Sequence, residues 1–201
     1  MPPQDKAANE ISRRAVIASA AFVPVAALTA AAQPPDESAL SAVQLRILEA
    51  FVDRIIPQDE LGPGAAESGV AVYINRSLGD YLKGEKAAFV EGLEATDGYA
   101  KRSHGRAFVE LSPEQQDAVL TAMDDGKAEG FANAKAFFAR ARRLTLEGMF
   151  GDPYYGGNKN FAGWDLIRYP GPRMATSPDD QKLGVSAKPV HVSAYGPKYG
   201  R

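Results

Sequence analysis

The sequence predicts an all-α protein: a single helical domain of about five helices, then a Gly- and aromatic-rich loop segment and an extended tail. Three observations predict this. Apolar residues recur at three- and four-residue spacing, helix start and stop signals bracket those stretches, and no period-two alternation lasts long enough to make a strand. The organisation is an export signal over 1–32, the helical domain over 33–173 and the tail over 174–201.

The first helix opens at Ser41, with Gln44 at the capping-box position. Leu45, Leu48, Val52, Ile55 and Ile56 mark its buried stripe, and Pro57 stops it before a turn-rich loop over 58–64. A second helix is expected over 65–82, with Val70, Tyr73, Ile74, Leu78 and Tyr81 as its apolar face. A third is expected over 85–102, where Phe89 and Leu93 sit among charged residues. Ser112-Pro113-Glu114-Gln115 starts a fourth, with Ser as N-cap and Pro at the first helical position, and that helix ends at Gly126. The fifth runs over 132–149, with Phe137, Phe138, Ala141 and Leu144 on one side.

Composition removes several kinds of chemistry. The chain has 201 residues, 45% of them apolar and 9% aromatic, enough for one core. Its net charge of −2 provides no basic field for nucleic acid. With no cysteine, the chain cannot supply thiolate iron–sulfur or zinc ligands, a CxxCH haem attachment, a disulfide or a cysteine nucleophile. The only histidines are His104, at the end of a helix, and His191, in the Pro- and Gly-containing tail. No catalytic, cofactor-binding or metal-ligating set is nominated in this chain.

The N-terminal segment has the three-part layout of a bacterial export signal. A polar stretch ends in Ser12-Arg13-Arg14, a weakly apolar stretch interrupted by Pro24 runs to Ala32, and Ala30-Ala31-Ala32 offers a cleavage site. Arg13 and Arg14 point to the twin-arginine route, which carries folded cargo. The expected destination is the periplasm. A chain without cofactor ligands has little need of that route unless a folded, cofactor-loaded partner travels with it.

Beyond the fifth helix the composition changes. Gly151-Asp152-Pro153 and Gly156-Gly157-Asn158 are turn formers, interleaved with Phe150, Tyr154, Tyr155, Phe161, Trp164 and Tyr169. Turns that hold so many rings either cap the domain's own core or present a docking surface, and some rings can do each. The residues expected at a partner interface are Phe150, Tyr154, Tyr155, Asn158, Phe161, Trp164 and Tyr169. The tail carries scattered Pro, Gly and Tyr. It reads either as disordered or as an arm lying across a partner, with Tyr195 and Tyr199 as anchors.

The run Gly148-Met149-Phe150-Gly151-Asp152-Pro153-Tyr154-Tyr155-Gly156-Gly157-Asn158, followed by Gly163-Trp164 and Tyr169-Pro170-Gly171, resembles the signature of the gluconate 2-dehydrogenase subunit 3 family. Gln44-Leu45, Leu48, Asp53-Arg54-Ile55-Ile56-Pro57, Gly64-Ala65-Ala66, Gly69-Val70, Phe137-Phe138 and Arg143-Leu144-Thr145 fit the same pattern. The resemblance implies the small (gamma) subunit of a bacterial membrane-associated, flavin-dependent sugar or polyol dehydrogenase. It further implies a large partner similar to glucose–methanol–choline oxidoreductases that holds FAD, and in many complexes a multihaem cytochrome c subunit. The small subunit of such a complex lends its twin-arginine signal and supports maturation of the large one, touching the membrane only through the complex. The family supplies no catalytic residue to carry over; Asp53, Arg54 and residues 148–171 are implied as scaffold and contact positions.

Two other classes stand beside this one. A stand-alone, hydrolase-like exported enzyme would have to use a pair such as Asp152 and Asp165, which no spacing selects. A periplasmic binding module would share the signal and the helical fold.

Overall fold

The computed structural model describes residues 38–173, 175–185 and 187–196. Arg13, Arg14 and Tyr199 lie outside the described residues. Six α-helices and no β-strand occur among those described: α1 (Ala42–Ile55), α2 (Val70–Gly79), α3 (Lys86–His104), α4 (Pro113–Asp124), α5 (Ala134–Phe150) and a short α6 (Ala162–Leu166). None of these helices is long and apolar enough to cross a membrane.

Local chemistry accounts for most helix ends. Ser41 Oγ accepts from the Gln44 amide while the Ser41 amide donates to Gln44 Oε1 at 2.9 Å, so the capping box is closed from both sides. Ser112 and Gln115 repeat the device at α4. α3 ends on Gly105 in the left-handed region, its amide bonded to the Lys101 carbonyl at 3.0 Å, and His104 is its last helical residue. α2 is shorter than the sequence predicts. Gly69 sits at φ +77°, which ends any helix running through it, so residues 65–69 form turns instead. At the other end Asp80 leaves helical geometry, and Tyr81 is exposed beyond the helix rather than on its buried face.

The core lies among α1 to α5, all of which contribute buried apolar side chains. α1 buries Ile47, Leu48, Phe51 and Val52, while Leu45, Ile55 and Ile56 are only partly covered, so the stripe centres one step away from the one its spacing suggested. Phe137 of α5 is the hub. Its ring lies 5.3 Å from that of Phe89 and 6.0 Å from those of Phe51 and Phe131, in tilted and edge-on arrangements that suit aromatic quadrupoles. α3 lets this ring in through Gly92. Thr96 and Thr145, both fully buried, donate their hydroxyls to the Gly92 and Ala141 carbonyls one turn earlier, at 2.8 and 2.9 Å, and so leave no orphan polar atom.

Two-pronged ion pairs link elements at the surface. Arg54 of α1 donates to Asp117 of α4 at 2.8 and 3.1 Å, and Arg140 of α5 grips Glu85 at 2.8 and 3.0 Å. Arg54 is therefore a scaffold residue. Its guanidinium is held above its usual basicity chiefly by the hydrogen bond to Asp117.

An added methyl at Gly92 would press into the Phe137 ring, which its aromatic neighbours prevent from moving aside. Overpacking of that kind costs about 1–3 kcal/mol, against roughly 1 kcal/mol gained by alanine over glycine inside a helix. Gly92→Ala is expected to lower the urea midpoint; a midpoint that stays put or rises would show that the ring has room to shift.

Candidate functional site

α5 delivers its C-terminus, Phe150, into a knot of turns. Asp152 starts it: its Oδ1 accepts from the Tyr154 amide at 2.9 Å and opens a 3-10 turn over Pro153–Tyr155, with Pro153 at the first position. Gly157 then passes directly against the backbone of Gly148, where any Cβ would collide with the Gly148 carbonyl. Asn158 follows, with no exposed surface, and holds the knot shut. Its Nδ2 donates to the Gly151 carbonyl and its Oδ1 accepts from the Gly163 amide, both at 2.8 Å. The Lys159 amide reaches the Ser68 carbonyl at 3.0 Å, tying the knot to the turn before α2.

The far side is built on strained backbone. Asn158, Asn160, Phe161 and Arg168 all have positive φ, between 49° and 62°, and they are the only non-glycine residues among those described that do. Asparagine accepts this region readily; phenylalanine and arginine give up roughly 1 kcal/mol each to occupy it. In return the chain turns sharply enough to bring Gly163 against Met149 and to set Trp164 Nε1 3.0 Å from the Phe150 carbonyl, to which it donates. The Trp164 ring packs 5.3 Å from Phe161 and 4.9 Å from Tyr169.

The seven interface residues expected from sequence therefore divide. Asn158, Phe161 and Trp164 are interior, with Trp164 only 4% exposed; Phe150 and Tyr154 are half-buried; Tyr155 and Tyr169 face outward, at 44% and 39%. Asn158 and Trp164, expected among the interface residues, lie inside the segment, where each hydrogen-bonds to its backbone. A residue not singled out from the sequence, Ile167, is 55% exposed and joins Phe150, Trp164, Tyr169, Pro172 and Ala194 around a largely apolar cavity of about 290 Å3. Nothing in the periodicity marks Ile167; only its position just past the tight α6 turn puts it outside.

Residues 187–196 return onto this chain's own aromatic segment rather than leading away from it. The Val190 amide donates to the Pro170 carbonyl at 2.9 Å, Ser193 Oγ to Asp152 Oδ1 at 2.6 Å and the Ala194 amide to Asp152 Oδ2 at 2.9 Å. His191 stacks on the Phe161 ring with centroids 4.9 Å apart, its Nε2 2.8 Å from Asp165 Oδ1. Tyr195 stacks on Tyr154 at 4.1 Å and shares a hydrogen bond of 2.8 Å with the Tyr155 hydroxyl. Asp152 and Asp165, one example of a carboxylate pair a hydrolase could use, are both engaged by the arm. The hydrogen bond to Tyr195, with a smaller contribution from burial, pushes the Tyr155 phenol up to about 12. In the helical body, Tyr73 is pushed well above the usual tyrosine range, mainly by burial and then by its contacts with Tyr81 (2.8 Å) and Glu147 (3.2 Å).

A helical platform thus feeds, through the last turn of α5, a glycine–aromatic knot with rings pointing both ways. Over residues 42–171 the chain matches the family described as gluconate 2-dehydrogenase subunit 3, and it belongs to that family. Comparison with curated proteins and with solved structures returns no match. The family is that of a dehydrogenase subunit, which places the chain in a multi-subunit oxidoreductase.

Asn158→Asp should separate the two hydrogen bonds of the knot. The carboxylate still accepts from Gly163, but its other oxygen then faces the Gly151 carbonyl with no proton between them. Leaving that buried carbonyl unpartnered costs about 1–3 kcal/mol, and repulsion adds to it. Thermal denaturation should show a loss at least that large, whereas unchanged stability would mean that water or a shift of the chain replaces the bond. For Tyr155, a phenol held above its unfolded value of about 10 stabilises the folded state below that pH, a contribution lost as pH rises through the folded value. Ultraviolet titration should show late-ionising phenols, and Tyr155→Phe should remove the step near 12 while the later ionisation of Tyr73 remains.

Proposed function

We propose that this chain is the non-catalytic small subunit of a periplasmic, flavin-dependent dehydrogenase acting on a sugar or polyol. It braces a large FAD-bearing subunit related to the glucose–methanol–choline oxidoreductases and escorts it through the twin-arginine route. Where a multihaem cytochrome c subunit is also present, electrons pass from the flavin to that subunit and bypass this chain. The observation that carries the reading is the knot at 150–171, in a family of dehydrogenase subunits, which presents Ile167 and Tyr169 at a largely apolar cavity and leaves Tyr155 exposed on the same segment. Aromatic and aliphatic side chains held without freedom to move are what the centre of a protein–protein contact uses, because little conformational entropy is lost when they are covered.

The mechanism is binding. A subunit that recognises only the folded flavoprotein stabilises it in proportion to the logarithm of its concentration over the dissociation constant. Because the knot is braced by Asn158 and Trp164 from within, the backbone beneath the docking face is set before the partner arrives. Glu147 and Arg143, paired at 2.8 Å, and the exposed cations Lys159 and Arg168 lie on the same chain segments and supply the polar rim such contacts have.

Purification of the tagged chain from its host is expected to bring a flavoprotein with it, visible as a flavin spectrum and a sugar- or polyol-oxidising activity that the isolated chain lacks. Ile167→Asp changes an exposed side chain, so the helical circular dichroism should stay normal while recovery of the flavoprotein falls about tenfold or more, the range of a central contact. Oxidation of a sugar by the isolated chain, or full flavoprotein recovery with Ile167→Asp, would overturn this reading or its docking face respectively.

A further inference from the structure

The family match ends at residue 171, and the arm over 187–196 is held by hydrogen bonds and by two ring stacks. Within 187–196 only Ser193 is buried; Val190, Val192 and Tyr195 are all at least one third exposed. What the arm covers is different in character. Tyr195 lies over the Tyr154 ring, His191 over the Phe161 ring, and Ala194 forms one wall of the apolar cavity. Asp152 is the fastening point, since its two oxygens take the Tyr154 amide, the Ser193 hydroxyl and the Ala194 amide at once. A segment that buries little apolar surface and has several of its hydrogen bonds exposed opens more readily than the core. The rings beneath it, left bare in an unpartnered chain, would form the kind of continuous apolar patch that aggregates.

We propose that residues 187–196 are a releasable strap. In the free chain the strap covers part of the docking face, and the flavoprotein lifts it by burying the Tyr154 and Phe161 faces more completely than Tyr195 and His191 do. This rests on the accessory-subunit reading above. The strap makes association conditional: the partner must supply apolar contacts that outcompete the Asp152, Asp165 and Pro170 fastenings, so loosely fitting proteins are refused.

The test uses the full chain and a double variant, Ser193→Ala with Tyr195→Ala, which removes one hydrogen bond to Asp152, the hydrogen bond to Tyr155 and the ring stack. In the free chain, hydrogen exchange at the Val190 and Ala194 amides should be about tenfold faster in the variant, as expected for the loss of one or two net hydrogen bonds, with exchange in α1 to α5 unchanged. Mixed with the purified flavoprotein, the variant should bind several-fold more tightly than the wild type, and the wild-type amides at Val190 and Ala194 should exchange faster in the complex than in the free chain. Weaker binding by the variant, or slower exchange of those amides in the complex, would make the arm part of the interface and overturn the strap. If neither form binds the flavoprotein, the accessory-subunit reading fails instead. The strap is then decided in the isolated chain with the apolar dye anilinonaphthalene sulfonate: greater dye fluorescence from the variant upholds the cover, and equal fluorescence from the two forms removes it.

Discussion

The aromatic segment depends on the two hydrogen bonds of a single buried amide. Asn158 donates to Gly151 and accepts from Gly163, joining the residue that leaves α5 to the residue that begins the second turn of the knot. Without that amide, a buried carbonyl and a buried N–H would face no partner, and the chain between them would have no reason to close. Closure has further consequences. It presses Gly157 onto Gly148, carries Gly163 onto Met149, and places the Trp164 indole under the end of α5, where its N–H satisfies the Phe150 carbonyl. The strained backbone at Phe161 and Arg168 persists because these contacts over-determine it. The outward positions of Ile167 and Tyr169 therefore follow from the closure of the whole segment, to which their own amides are bonded at Gly163 and Trp164.

The helices serve as the platform for this knot. α5 runs from the aromatic hub at Phe137 to the knot at Phe150, so the part of the molecule with the most buried rings leads directly into the part with the most exposed ones. Small residues at close approaches, Gly92 beneath Phe137 and Gly148 beneath Tyr73, let α3 and α2 lie against their neighbours without a cavity. Such a base gives a turn-built surface the rigidity that loops alone lack.

Helix starts were legible wherever a local device made them. Ser41 with Gln44, and Ser112 with Pro113 and Gln115, form caps that need only residues within four positions, so their spacing alone announces them. The start of α2 was not legible, because Ala65 to Gly69 has ordinary helix formers up to the glycine. What ends the helix there is the left-handed turn at Gly69, which passes beside the Gly156 carbonyl on the far side of the sequence. The candidate site was half legible. Ring content and glycine spacing located the segment, but nothing local distinguishes a tryptophan whose N–H reaches a buried carbonyl from a tyrosine left in solvent. The tail was the least legible part, since its fastenings to Asp152, Asp165 and Pro170 join residues separated by twenty or more positions.

By itself the sequence determined the all-α class, the order and caps of the main helices, the exclusion of thiolate chemistry and the family, because periodicity, capping and composition act over a few residues or over none. The direction each aromatic ring faces, the interior role of Asn158 and Trp164, the emergence of Ile167 and the folding back of residues 187–196 were decided only by tertiary structure. Those outcomes depend on which distant backbone groups are left without a partner once the helices have packed, and that is a property of the closed fold rather than of any stretch of chain.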